Sequence, residues 1–128
     1  MTEVKSNFIS HKQPCVWVEK ETGLYPGGAH SFILSNCMGW DNENQCTAFV
    51  DSKQAINFIR KDENGILYQG ITSEQMLLVL IHRHKQLNNA FPSPQNEEFI
   101  KHITSALDLL EQRVKDRVNR GVMGDLKK

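Results

Sequence analysis

The rhythm of apolar and polar positions changes near residue 70. Before that point, short apolar runs are broken by turn formers. Val16, Trp17 and Val18 make one candidate strand. Ser31, Phe32, Ile33 and Leu34 make a second, and Thr47, Ala48, Phe49 and Val50 a third, with a polar loop at 41–45 between them. Residues 55–60 follow, with Ile56 and Phe58 alternating against Asn57. Asn64 and Gly65 then offer a tight turn into Ile66, Leu67 and Tyr68. Tyr25, Pro26, Gly27 and Gly28 read as a further turn. The pattern predicts a small, mostly antiparallel sheet over residues 1–70. About five short strands bury little by themselves and need a helix or a partner chain against one face.

From Thr72 the period becomes helical. Thr72 with Gln75 three residues on matches a capping box, in which side chain and backbone satisfy each other's amides. Residues 76–81 are apolar on every side, which predicts a helix covered on more than one face. Asn88 and Asn89 close it, and Phe91, Pro92, Ser93 and Pro94 connect it to the next helix. Ser93 suits the cap and Pro94 the first turn. The second helix is expected over 94–119, with Phe99, Ile103, Ala106, Leu110, Val114 and Val118 on its apolar face. Gly121 ends it. So short a connection predicts two antiparallel helices. The expected architecture is α+β: a β region over 1–70 and a long helical hairpin over 71–124 in one compact domain, then a flexible tail over 125–128. A second helix of about 39 Å is long for a domain of this size and predicts an oligomer.

The totals narrow the partners. Fifteen basic residues balance fifteen acidic ones in 128 residues. Such a chain lacks the broad positive field of a duplex nucleic-acid binder. No apolar run approaches the length of a membrane span, and residues 1–10 show no signal-peptide core. Cys15, Cys37 and Cys46 are odd in number and lack Cys-x-x-Cys spacing, which predicts free thiols in a reducing cytoplasm.

Local clusters must therefore carry any anion binding. Arg113, Arg117 and Arg120 stand four and three residues apart and share a helical face. A guanidinium grips phosphate with two parallel hydrogen bonds, so a phosphate-bearing ligand would offset their mutual repulsion. A solvated face, with Asp116 pairing to Arg113 and Arg120, is the bland alternative. Asn96 carries an amide that can both donate and accept, as reading a base or ribose requires; capping is its bland use. It lies seventeen positions before Arg113, about 26 Å along a helix. One pocket using both must be built by two chains, with their second helices antiparallel. His82 and His84 point about 200° apart on a helix and cannot share one metal ion. Arg83 and Lys85 could add positive charge to a groove. No phosphate loop, catalytic triad or general acid–base pair emerges, so a binding protein is favoured over an enzyme and no cofactor is expected.

The stretch from Gly65 to Gly124 resembles a family of phage-encoded anti-defence proteins. These share the hairpin domain found in the first type of Thoeris anti-defence protein and the second type of anti-CBASS protein. The resemblance rests on Asn64-Gly65, on Gly70 to Glu74, on Leu77 to Arg83, on Phe91-Pro92, on Asn96 and on Leu107 to Leu110. Arg113-x-x-x-Arg117 and Arg120-Gly121-Val122-x-Gly124 complete it. The chain departs from the family pattern at Ser93-Pro94-Gln95, at Asp108-Leu109-Leu110 and at Met123.

The resemblance implies a sponge that binds cyclic nucleotide messengers in the host bacterial cytoplasm and releases them intact. It points to cyclic ADP-ribose isomers as ligands. Asn96, Arg113 and Arg117 fall at the expected contacts, with Phe91 and Arg120 beside them. It also implies self-association, as a dimer or anything up to a hexamer. Cyclic di- or trinucleotides remain open as alternative ligands, as do a messenger-cleaving enzyme and a structural protein that only oligomerises.

Overall fold

The computed structural model describes residues 1–19, 30–62 and 64–121. The turn expected at 25–28 and the tail expected at 125–128 lie outside them. The chain divides into two compact units, Met1–Ile71 and Thr72–Lys128. The first holds strands β1 (Thr2–Glu3), β2 (Val16–Val18), β3 (Ser31–Asp41), β4 (Cys46–Asn57), β5 (Arg60–Lys61) and β6 (Leu67–Tyr68); the second holds α1 (Ser73–Ala90) and α2 (Pro94–Asn119). The α+β architecture expected from the sequence is the one observed.

In the first unit, β1 to β4 form a sheet in the order β1-β2-β3-β4, and β5 pairs with β6 in a second, two-stranded sheet. Every strand pair is antiparallel. Val18, Phe32 and Ile56 align across three strands, as do Val16, Leu34 and Gln54. Alternation therefore puts Val16, Val18, Phe32, Leu34 and Ile56 on one face. Phe58 meets Phe32 edge to face at 5.8 Å. All six apolar side chains are only half-buried.

Two features differ from the pattern-based reading. The short β1 was not expected. β4 is one continuous strand where two separate runs were expected. Its middle, Asp51, Ser52, Lys53 and Gln54, is polar and exposed, so apolar alternation could not reveal it. The ladder continues there through register shifts on either side of Cys37. Asn36 stitches the irregular stretch: its amide donates to Ser52 Oγ at 3.0 Å and its Oδ1 accepts from Gln54 Nε2 at 2.7 Å.

Local chemistry fixes the turns. Asp62 Oδ1 accepts the amides of Asn64 and Ile66, each at 2.9 Å, and Gly65 takes φ +81°, which only glycine adopts freely. Arg60 lies 4.2 Å over the Tyr68 ring. Gly70 serves a close approach. A Cβ there would sit 2.4 Å from the Phe58 carbonyl carbon and 2.6 Å from Asn57 O, where Phe58 and Ile71 bridge in parallel.

The helices begin as their caps dictate. Thr72 Oγ1 accepts the Gln75 amide at 3.2 Å while Gln75 Oε1 accepts the Thr72 amide at 2.8 Å. Ser93 caps α2 by accepting the Asn96 amide at 3.0 Å, with Pro94 in the first turn. Gly121, at φ +71°, follows the α2 C-cap Arg120. The His84 and Phe99 rings meet at 4.3 Å. His84 lies near the end of α1 and Phe99 near the start of α2, so only antiparallel helices bring them together.

Leu77, Leu80, Ile81, His84 and Leu87 of α1 and Ile100, Ile103, Ala106, Leu107 and Leu110 of α2 are covered positions, with Ile81 and Ile103 fully buried and Val114 half-buried one turn further along α2. Steps of three and four residues make this the seam of the hairpin. Of the expected apolar face, Ile103, Ala106, Leu110 and Val114 are covered, Phe99 lies at its margin against His84, and Val118 is exposed. In the apolar 76–81 stretch, Leu78 is 54% exposed and Val79 64%. The hairpin covers one side of α1 and leaves that one open.

Gly70→Ala is expected to destabilise the first unit by about 1–3 kcal/mol or more, because the new methyl meets backbone that cannot swing aside. Trp17 and Trp40, the chain's two tryptophans, both lie in that unit. Denaturant titration followed by their fluorescence reads the effect, and an unshifted midpoint would refute it.

Candidate functional site

Two groups of candidate residues stand at opposite ends of α2. At its start, Asn96 is the third helical residue and half-buried. Its backbone amide is taken by Ser93, and its side-chain Nδ2 donates to the Phe91 carbonyl at 3.4 Å. Phe91 is the C-cap of α1 and leaves its ring 76% exposed.

At the other end, Arg113 is exposed and Arg117 half-buried. Arg117 continues the three-and-four spacing of the seam beyond Val114, whereas Arg113 stands off it. The pair four residues apart thus has one covered member and one open one. Arg120 Nε lies 3.1 Å from Asp116 Oδ2. Asp116 therefore takes one of the two arginines proposed for it, in an exposed ion pair worth roughly 0–1 kcal/mol. Lys115 pairs with Glu111 at 3.3 Å.

α2 has 26 residues against 18 in α1. Both abut the same short turn, so the last two turns of α2 run about 12 Å beyond the start of α1. The arginines sit on that overhang. Cations at a helix C-terminus also complement its macrodipole, which gives them a structural use and sets a competing attraction for any anion that binds there. Since α2 is one unbroken helix, Asn96 and Arg113 stand about 26 Å apart. A protomer does not bring them together.

A third feature was not singled out as a site by the sequence. Among the described residues, Leu78, Val79, His82, Arg83, Gln86 and Leu87 line an open concavity of about 730 Å³ on α1. Its signal in the sequence is the apolar pair Leu78-Val79 followed four residues on by His82-Arg83. His82 is exposed on this side, whereas His84 packs in the seam against Phe99. The two rings diverge as their spacing required, and no metal-binding cluster exists among the described residues. Of the two cations expected beside a groove, Arg83 lines this concavity and Lys85 does not.

A fourth lies in the first unit. Cys15 is 5% exposed, and its Sγ stands 3.7 Å from His11 Nδ1, which also meets Ser6 Oγ at 3.1 Å. The His11 imidazole packs between the Phe8 and Phe49 rings, at 5.0 and 5.3 Å. Glu3, Ser6, Lys12 and Gln13 help line a small cavity of about 200 Å³ beside them. A cysteine–histidine pair is nucleophilic when the thiol ionises readily. Here burial first, and the Glu3 carboxylate second, push the Cys15 pKa up. The contact has the residue types of a catalytic dyad without its activation. All three cysteines are free.

Asp41 is the other shifted group. Hydrogen bonds from the Asn44 side chain and backbone, and from the Glu43 amide, lower its pKa. Its Oδ1 accepts the Glu43 and Asn44 amides at 3.0 and 3.1 Å and its Oδ2 the Asn44 side chain at 2.9 Å. This carboxylate ties the β3–β4 turn.

Compared with protein-family models and with curated proteins, the chain matches none. Among the described residues, no helix is long and apolar enough to cross a membrane.

A raised pKa leaves less thiolate at any given pH. Cys15 is therefore expected to alkylate at least about tenfold more slowly than the exposed Cys37 when folded protein is treated with iodoacetamide near pH 8. Peptide mapping of the labelled sites checks this; equal labelling of the two would show Cys15 to be an accessible, activated thiol.

Proposed function

We propose that the protein is an oligomeric sponge for cyclic nucleotide messengers, with cyclic ADP-ribose isomers as the preferred ligands, acting in the host bacterial cytoplasm. One observation carries this reading: α2 holds Arg113 and Arg117 on its overhang and Asn96 with the exposed Phe91 ring at its far end. Antiparallel pairing of α2 with that of a second chain would bring the two groups together, twice per dimer. A pyrophosphate offers the oxygens that a guanidinium fork fits, and Arg120 adds charge beside it. The exposed Leu78 and Val79 support self-association, since covering the part of each that is still open contributes about 1–2 kcal/mol.

The mechanism is mass action. Each filled pocket lowers free messenger, and release returns it unchanged. Competing with a cellular effector calls for roughly nanomolar affinity, about −12 kcal/mol. Charge-assisted contacts in a pocket that excludes water supply part of that.

The test is to mix the protein with a panel of cyclic nucleotides, remove the free fraction, denature by heat and identify what is released. Intact cyclic ADP-ribose fits the proposal and an intact cyclic oligonucleotide shifts the ligand class. Altered ligand makes the protein an enzyme, and no ligand leaves a structural oligomer. Light scattering is expected to give at least a dimer at about tens of micromolar, where even a weak interface is filled; a monomer would sink the two-chain pocket.

Arg113→Ala or Arg117→Ala is expected to weaken cyclic ADP-ribose binding roughly 10- to 150-fold, the loss of one charge-assisted contact, with fold and oligomer intact. Subunit mixing sharpens the test. Chains carrying only Asn96→Ala are re-annealed with chains carrying only Arg113→Ala. If the pocket spans two chains, some mixed dimers keep one undamaged pocket and calorimetry recovers part of the binding. If each pocket belongs to one chain, mixing restores nothing.

A further inference from the structure

The turn between the helices is held by two asparagines, one from each helix. Asn88, near the end of α1, accepts the Ser93 amide on its Oδ1 at 3.1 Å. Asn96, at the start of α2, donates its Nδ2 to the Phe91 carbonyl at 3.4 Å. Both asparagines are half-buried. The Phe91 amide, in turn, donates to the Leu87 carbonyl at 2.7 Å. The backbone of Phe91 is thus fixed through both its N–H and its C=O, while its ring stands 76% exposed.

A lone exposed apolar side chain is ordinary. One whose backbone is clamped on both sides is a presented surface, because the backbone ordering that binding would otherwise require is already done. Asn96 is placed differently. Reading a base edge needs an amide that shows donor and acceptor together. Here one N–H of the Asn96 amide is turned back into its own chain, which leaves the amide only partly available to a base.

We infer that Asn96 is a positioning residue: it holds Phe91 by its carbonyl, and the Phe91 ring, not the Asn96 amide, meets the ligand by stacking on its aromatic base. The ligand half of this assignment rests on the sponge reading. The turn half stands on the hydrogen bonds alone. Stacking also tolerates different bases, since every base has a π-face; the amide would discriminate among them.

Two measurements test it. The first needs no ligand. Amide hydrogen exchange at Phe91 is compared by NMR in wild type, Asn96→Ala and Asn96→Asp. Alanine is the best helix former, and aspartate in the first turn suits the helix dipole, so neither change unfolds α2. Neither side chain can donate to the Phe91 carbonyl, and exchange is expected to quicken about fivefold in both. Unchanged exchange in either variant would overturn the positioning role.

The second is a double-mutant cycle on cyclic ADP-ribose affinity, by calorimetry, with Asn96→Ala, Phe91→Ala and both together. If Asn96 acts through Phe91, its substitution changes affinity less than about twofold once the ring is gone. If the two losses multiply, Asn96 touches the ligand itself and the assignment fails. A wild type that takes up no cyclic ADP-ribose refutes the sponge reading and the ligand half with it, while the exchange rates still decide the turn half.

Discussion

The three-residue connection between α1 and α2 is the constraint on which the second unit depends. It forces the helices antiparallel and sets their register, so that His84 meets Phe99 and Ile81 and Ile103 are buried. With the register fixed at that end, any excess length must appear at the other. That is where α2 outruns α1 and where Arg113 and Arg117 stand. A rigid helix then separates the arginines from the turn by a distance that no side-chain motion can close. A single small-ligand pocket that used both ends of α2 would therefore need more than one chain.

The first unit is organised around hydrogen bonding more than burial. Its apolar sheet face is half-covered, and the only fully buried residues described there are Ser10 and Cys15. Polar side chains do much of the fixing: Asp41 and Asp62 close turns, and Asn36 holds an irregular stretch of ladder. The Asp41 pKa is lowered, so its contribution is present above the ordinary carboxylate range and is lost as pH falls through the lowered value.

The helices were legible in the sequence because their boundaries are local chemistry. Thr72 with Gln75, Ser93 with Pro94, and Gly121 each act within a few residues of themselves. The facing of the helices was less legible. Phe99 and Val118 fit a 3.6-residue stripe with Ile103, Ala106, Leu110 and Val114, yet Val118 is exposed and Ile100 and Leu107 are covered beside that stripe, because the partner helix and its length decide which positions are covered. The polar centre of β4 was invisible for a related reason: its partners lie on β3, and nothing in its own alternation announces them. At the candidate site, the residue types could be read and their employment could not. That Asn96 turns an N–H to the Phe91 carbonyl, and that burial and Glu3 push the Cys15 thiol pKa up beside His11, follow from contacts across a turn and across a loop.

β4 ends the order of its sheet, and a long terminal strand is a template for joining another sheet edge to edge. Its central residues are the polar Asp51, Ser52, Lys53 and Gln54, the ladder beside them is irregular, and Lys53 reaches over the Trp17 ring at 5.4 Å. Charge and bulging are both means of discouraging such joining. Were the proposed sponge reading to hold, with one pocket for each captured molecule, the protein would have to accumulate to the level of what it captures, and a terminal strand built against edge-to-edge joining would then matter as much as the pocket.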